Sequence, residues 1–190
     1  MRIAFKAFTK DLKASLGRGF SFETGVWHEE EEAGCIRCGF HAAENPLDCF
    51  SYYPNWDRNV YWIVLLDGDM DEDGTDTKVA ATRIKLVRQL TKEEFVICAM
   101  NYMAEHPFLP VNTCVKREVA QSDGAAKNGI LIVRGPDPIA SGKDGDVVGI
   151  AKEDPDGTIT DLNVFTIDGK EYLPDVFYDV HGKRRREYEI

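Results

Sequence analysis

Residues 60–90, VYWIVLLDGDMDEDGTDTKVAATRIKLVRQL, decide how this chain is built. The opening run, residues 60–66, is rich in β-branched and aromatic side chains and lacks any turn former, which predicts a central strand buried on both faces. Residues 79–90 predict a second strand, with Ile84, Leu86 and Arg88 on one face by alternation. The acidic residues between them read as a solvated connection. Upstream, residues 39–53 read GFHAAENPLDCFSYY. Asn45 suits an N-cap, Pro46 suits the first helical position, and Asp48 stands in the first turn, where the helix dipole favours an anion. A helix is expected to start there, with Leu47, Phe50 and Tyr53 on one face.

Outward from this centre, residues 3–8 predict a strand, and the Gly17, Arg18, Gly19 group breaks the chain before Phe20 and Phe22 alternate around Ser21. Residues 91–94, TKEE, form a capping box, and Phe95, Val96, Cys98, Ala99, Tyr102 and Met103 keep helical spacing up to His106, where Pro107 and Pro110 end the helix. Residues 107–128 lack periodicity and read as a connection. Residues 130–133, 147–152, 159–167 and 176–180 read as short strands, separated by GPDP, SGKDGD, DPDG, DGK and HGK turn signals that suggest hairpins. The expected class is α+β: a mixed or antiparallel sheet with two or more helices, plus a β-rich C-terminal extension. The expected division is an N-terminal module over 1–106, a connection over 107–128 and the extension over 129–190, or one continuous domain.

The 190 residues are 43% hydrophobic and 29% charged, as in ordinary soluble globular proteins, and no apolar run approaches the roughly 20 residues that cross a bilayer. The N-terminus does not resemble a secretory signal, so a cytoplasmic location and no membrane partner are expected. Five cysteines without a compact repeating spacing argue for reduced thiols rather than a disulfide framework. A net charge of −10 argues against sequence-independent binding to nucleic acid, which rests on Lys and Arg releasing counterions. The basic group Lys183, Arg184, Arg185 and Arg186 reads as a solvated end or an internal charge match, with an acidic partner as the alternative.

Cys35, Cys38 and His41 form C-x2-C-x2-H, a candidate zinc set with Cys49 or His28 near enough in sequence to complete it, although a second paired cluster is lacking. Asp69, Asp71, Asp73 and Gly74 repeat the start of a calcium-binding EF-hand loop, but position twelve is Ala80 rather than Glu. An acidic linker between strands is the simpler reading. His41 is also a candidate base or pocket residue. No Walker loop, dinucleotide-binding glycine fingerprint or HExxH is present. Trp27, Trp56, Trp62, Tyr52 and Tyr53 read mainly as core residues, with Trp56 a candidate for an exposed binding edge.

Four segments together, FKAF at residues 5–8, RGFSFETG at 18–25, GFHAAENPLDCFSYY at 39–53 and KVAATRIKLVRQLTKEEF at 78–95, resemble an uncharacterised domain family common in bacteriophages and prophages. The C-terminal half is similar to a tail that often accompanies that domain. The resemblance implies a viral or mobile-element origin and supplies no activity. A more distant likeness is to ADP-ribosyltransferases, whose strand order FKAF, GFHAAENPLDCFSYY and DTKVAATRIKLV would follow. At the decisive places stand Lys6 for Arg or His, Ala42 and Ala43 near the serine motif, and Lys78 for the glutamate. A lysine there opposes the positive charge the reaction develops.

These readings lead to the expectation of a non-catalytic phage accessory protein that needs no cofactor. It would bind a host protein, such as a nucleic-acid-binding component of a defence system, and inhibit it as an anti-CRISPR does, with Asp69, Asp71 and Asp73 on the binding surface. The rival expectation is an ADP-ribosyltransferase-like or nucleotide-binding protein. There His41, Tyr52 and Tyr53 would contact or stack on the base of NAD or a related nucleotide, and Arg18 would contact phosphate.

Overall fold

The computed structural model describes residues 1–14, 19–35, 37–72, 74–122 and 129–188. The chain divides into two compact units, Met1–Thr91 and Lys92–Ile190.

The first unit holds β1 (Arg2–Thr9), β2 (Trp27–Glu29), β3 (Phe40–Ala43), β4 (Asn59–Glu72) and β5 (Lys78–Gln89). Its frame is the long β4–β5 hairpin, paired antiparallel from Glu72↔Val79 to Trp62↔Gln89. β1 pairs along the other edge of β4, from Arg2↔Leu66 to Thr9↔Asn59. β3 and then β2 pair along the free edge of β5. β1 meets β3 at Phe5↔Ala43, so β1, β4, β5 and β3 form a closed ring of ladders. Closure demands sharp curvature, and two irregularities in the β4–β5 ladder, between Ile63 and Val64 and between Asp67 and Met70, supply bends. At the second, Gly68 takes φ +75° and Asp69 N donates to Thr82 Oγ1 at 3.0 Å.

Alternate residues of the ring point inward. Ala4 and Phe8 of β1, Phe40 and Ala42 of β3, Trp62, Val64 and Leu66 of β4, and Val79, Ala81, Ile84 and Leu86 of β5 form one core with Phe22. The expected partnership of Ile84 with Leu86 holds, whereas Arg88 is exposed. The run at residues 60–66 is fully buried on its inner face only; on the outer face Tyr61 alone is fully covered, while Ile63 and Leu65 are half-buried.

Two local expectations need correction. The acidic connection is shorter than expected, because β4 continues to Glu72 and β5 begins at Lys78. Main-chain pairing carries β4 through Asp69, Asp71 and Glu72 while their side chains stay at the surface. The helix after Asn45 is a 3-10 helix, Pro46–Ser51, and stops before Tyr53. Asn45 does cap it, its Oδ1 accepting from Leu47 N at 3.0 Å. Pro54 ends it, since the residue before a proline is driven out of helical geometry.

The second unit holds α1 (Lys92–Glu105), β6 (Val115–Gln121), β7 (Ile130–Ser141), β8 (Val147–Glu153), β9 (Ile159–Thr166) and β10 (Tyr178–Asp179). α1 buries Phe95, Val96, Ala99, Met100 and Met103 and packs on β7, β8 and β9. Gly149 permits this approach, since a Cβ there would come within 3.0 Å of Val96 Cγ1 and Met100 Sδ. The helix thus belongs with the C-terminal strands, and the chain divides at residue 91 rather than after residue 106.

The expected hairpins are only partly present. β8–β9 and β7–β10 are antiparallel, but β6–β7 and β7–β8 are parallel. The GPDP segment, expected as a turn, lies inside β7. Its two prolines lack N–H donors, and the β6 ladder skips from Arg117↔Arg134 to Val119↔Ile139 around them. Residues 107–128, expected as a connection, contain β6, whose residues Lys116–Val119 are exposed. Among the described residues there is one α-helix, with short 3-10 helices at Pro46–Ser51 and Arg186–Tyr188, so two or more α-helices are not found. The class is predominantly β within an α+β arrangement. No helix among the described residues is long and apolar enough to cross a membrane.

Candidate functional site

The first unit carries a cationic corner where β1, β3, β5 and the Pro46–Ser51 3-10 helix meet. Lys6 shares the inward face of β1 with Ala4 and Phe8 and is 9% exposed. It stands one residue past the Phe5↔Ala43 pair, and there its ammonium donates to the carbonyl oxygen of His41. Nζ also lies 5.6 Å from the Phe8 ring centroid and 5.8 Å from that of Phe22. Burial pulls the Lys6 amine down to about 8 and pushes the neighbouring Cys49 thiol up to about 12, against the pull of Lys6. The His41 imidazole is held below its ordinary value by burial first, then by Lys6 and Lys78.

On the surface side of this corner, Lys78 Nζ donates to Tyr52 Oη at 3.1 Å and lies 5.5 Å from that ring's centroid. Tyr52 in turn donates to Asp76 Oδ2 at 3.3 Å. Tyr52 remains 40% exposed. Tyr53 is buried, and its carbonyl accepts from Tyr61 Oη at 2.5 Å, so its ring is not offered for stacking. Trp56, weighed as an exposed edge, stacks on Tyr61 with centroids 4.4 Å apart. The corner therefore holds two amines, a weakly basic imidazole and a phenol bonded to the Asp76 carboxylate. The causes acting on Lys6 and His41 include no carboxylate.

An acidic surface lies along the β4–β5 hairpin. Asp69 and Asp71 are exposed on β4. Asp71 Oδ2 accepts from Cys35 N at 2.8 Å. Asp67 is neutralised by Arg83 at 2.9 Å and by the N-terminal amine at 3.3 Å, and Glu72 by Arg2. Arg83 also reaches Glu29 at 2.9 Å and stacks 4.7 Å over Trp27. A second acidic segment joins this surface: Glu30, Glu31 and Glu32, which follow β2, are all exposed. Glu30 N donates to Thr82 O at 2.8 Å, while the Thr82 hydroxyl accepts from Asp69 N at 3.0 Å. Thr82 thus sets Glu30 and Asp69 on either side of itself, although the two are far apart in the chain. The signal for this segment was the run EEEE itself; its neighbour could not be read locally.

The candidate metal residues are spread out. Cys35 Sγ lies 3.3 Å from Asp71 O, Cys38 closes a tight turn with Gly34, and Cys49 is buried on the 3-10 helix. His28 sits edge-on to Phe20 and Phe22 at 5.4 Å, its Nε2 3.0 Å from Glu23 N. Among the described residues no group of three or more His, Cys, Asp or Glu side chains is placed to hold a metal ion. Of the proposed EF-hand carboxylates, Asp69 and Asp71 alternate along β4 instead of wrapping a loop. Arg18 and Asp73 lie outside the described residues. In the basic tail, Arg185 forms a two-pronged pair with Asp137 at 3.0 and 3.1 Å, an internal charge match.

No curated protein and no solved structure matches the chain. A family model described as "Domain of unknown function (DUF7666)" matches residues 2–98. That span includes all five strands of the first unit, the cationic corner and the acidic surface. It is more than half of the chain, and the chain belongs to the DUF7666 family.

Proposed function

We propose that this protein is a non-catalytic binding protein of phage or prophage origin, acting in the cytoplasm of a bacterial host on a basic, nucleic-acid-binding protein such as a component of an antiviral defence system. The observation that carries the reading is that Glu30 and Asp69 flank Thr82 through their backbone donors and are exposed, with Glu31 and Glu32 exposed next to Glu30 in the chain. None of these four carboxylates has a side-chain partner among the described residues, whereas Asp67, Glu29 and Glu72 are neutralised by arginines. Unneutralised carboxylates on a strand scaffold present a negative potential to a positively charged groove, and complementary potentials steer association and set specificity. The cationic corner supports the same reading from the other side. A glycosyl-transfer site needs a carboxylate to stabilise developing positive charge, whereas the charged groups acting on His41 here are Lys6 and Lys78, and the corner's carboxylate, Asp76, is engaged with Tyr52.

The test is a pull-down from lysate of a phage-susceptible bacterium. Tagged wild type is compared with a variant carrying E30K, E31K, E32K and D69K, and the intact mass of each stoichiometric partner is measured. The expected result is a basic partner held by wild type, released at high salt and lost from the variant. Equal retention by both proteins overturns the acidic surface as the binding element. A partner carrying an ADP-ribose mass increment overturns the non-catalytic reading.

A further inference from the structure

Lys6 and Trp62 are direct partners across the β1–β4 ladder, and both face the interior of the ring. Each residue is 9% exposed. Trp62 Nε1 is buried and has no hydrogen-bond acceptor among the described residues. The Lys6 ammonium has one acceptor, His41 O, and aromatic faces for its other neighbours. No carboxylate is paired with it; the titratable groups that act on it or feel it are the Cys49 thiol and the His41 imidazole. A buried donor without an acceptor costs about 1–3 kcal/mol, and a desolvated ammonium without a counter-anion adds to that cost. Two such groups on adjoining strands are an unusual concentration of unmet donors in an otherwise apolar core.

We propose that Lys6 Nζ and Trp62 Nε1 form a site for small carbonyl compounds, in which the lysine amine condenses with the carbonyl carbon and the indole N–H donates to the carbonyl oxygen. The Lys6 nitrogen uses its lone pair to form the C–N bond. The carbonyl oxygen takes up two protons and leaves as water, and the product is an imine with no change of oxidation state. Desolvation is a recognised route to a nucleophilic lysine, and a donor aimed at the oxygen stabilises the charge that develops there. The close packing around both donors restricts the ligand to a few heavy atoms. The site is independent of the acidic surface, and either proposal can fail without the other.

With the Lys6 amine at about 8, roughly a quarter of it is neutral at pH 7.5, against about one part in a thousand for an ordinary lysine. The probe is acetaldehyde with cyanoborohydride, which reduces the imine to a stable ethylamine, read by peptide mass mapping of the folded protein over time. Twelve lysines compete, and Lys10 and Lys13 are the neighbouring internal controls. The expected result is that Lys6 is labelled at least about tenfold faster than Lys10 or Lys13, with a rate that rises through a midpoint near pH 8. W62F should slow Lys6 labelling several-fold while leaving Lys10 and Lys13 unchanged, and K6M should abolish the fast site. Should W62F fold poorly, the wild-type ratio and its pH midpoint decide alone. Lys6 labelling no faster than the controls, or only in urea, overturns the proposal, as does an unchanged Lys6 rate in folded W62F.

Discussion

Thr77 donates its hydroxyl to Asp48 Oδ2 at 2.7 Å, and the same hydroxyl accepts from Asn45 N at 2.8 Å. One side chain at the mouth of β5 therefore fixes both the cap and the first turn of the Pro46–Ser51 3-10 helix. A 3-10 helix this short has no stability of its own, so its position over Tyr61 depends on this tie.

Removing either partner should leave the other's polar group poorly satisfied. T77V and D48A are each expected to cost about 1–3 kcal/mol. The double variant should cost clearly less than the sum, because the two residues share one interaction. Urea denaturation of the four proteins of the cycle measures this; strict additivity would show that the contact contributes nothing.

The alkaline range separates Lys6 from Cys49. Lys6 has an ordinary value of 10.5 and a folded value of about 8, so between these pH values the unfolded chain binds the extra proton and stability rises with pH. Cys49 has an ordinary value of 9.0 and a folded value of about 12, so it contributes a loss of stability as pH rises above about 9. Tyr61, also raised chiefly by burial, adds to that loss at higher pH. Wild type should gain stability from pH 7.5 to 9 and then turn over, while K6M should be more stable at pH 7 and only decline. Melting temperatures of both proteins from pH 7 to 10 give the comparison.

His41 acts in the acid range. Its folded value lies below the ordinary 6.5, so below that pH the unfolded chain takes up protons more readily and stability falls as pH falls. H41Q should flatten the pH 5 to 7 part of the stability profile relative to wild type. An unchanged slope would place the acid sensitivity in other groups.

In the second unit, Arg134 is 3% exposed and meets three segments of chain. Its Nε donates to Glu153 Oε2, and Nη2 donates to Pro107 O at 2.9 Å and Gly157 O at 2.8 Å. R134A should cost about 3–5 kcal/mol by leaving two carbonyls without their donor and Glu153 with only the exposed Arg117 as its partner. R134K should not restore it, because one ammonium cannot reproduce the planar fork. Chemical denaturation followed by circular dichroism tests both substitutions.

The parts of this fold that were legible in the sequence are those with a local physical signature. The β-branched and aromatic run at residues 60–66 announced β4, and Asn45 before Pro46 announced a capped helix start. The TKEE box with its helical apolar spacing announced α1. What stayed hidden depends on distant pairing. β6 is an exposed strand with four consecutive exposed residues, and nothing in VKREVAQ alternates. The parallel pairing of β7 with β8 leaves no turn to read, and GPDP looks like a turn because its prolines break the ladder even inside a strand. For the candidate site, alternation in IAFKAF would turn Lys6 outward, because Ile3, Phe5 and Ala7 make the wholly apolar face, and its inward place follows from the pairing of β1 with β4. Its lack of a carboxylate partner, and the meeting of Glu30 with Asp69, follow from which strands share β5.

The ring's closure can be tested at Gly39, which enters β3 with φ +81°. A Cβ there would stand 2.9 Å from Ala81 O, 3.0 Å from Ala33 Cα and 3.1 Å from Glu32 O. All three are backbone atoms that cannot swing away, and a left-handed φ itself costs an alanine about 1 kcal/mol or more. G39A should therefore lower the melting temperature by several degrees and loosen β3 from β5. Because His41 O on β3 receives the Lys6 ammonium, loosening β3 should also let water reach Lys6 and return its amine toward the ordinary value. The expected outcome is an alkaline profile in which the gain between pH 7.5 and 9 shrinks in G39A. A destabilised G39A that keeps the full wild-type gain would mean that β1 and β4 alone bury Lys6, and that β3 covers the corner without shielding it.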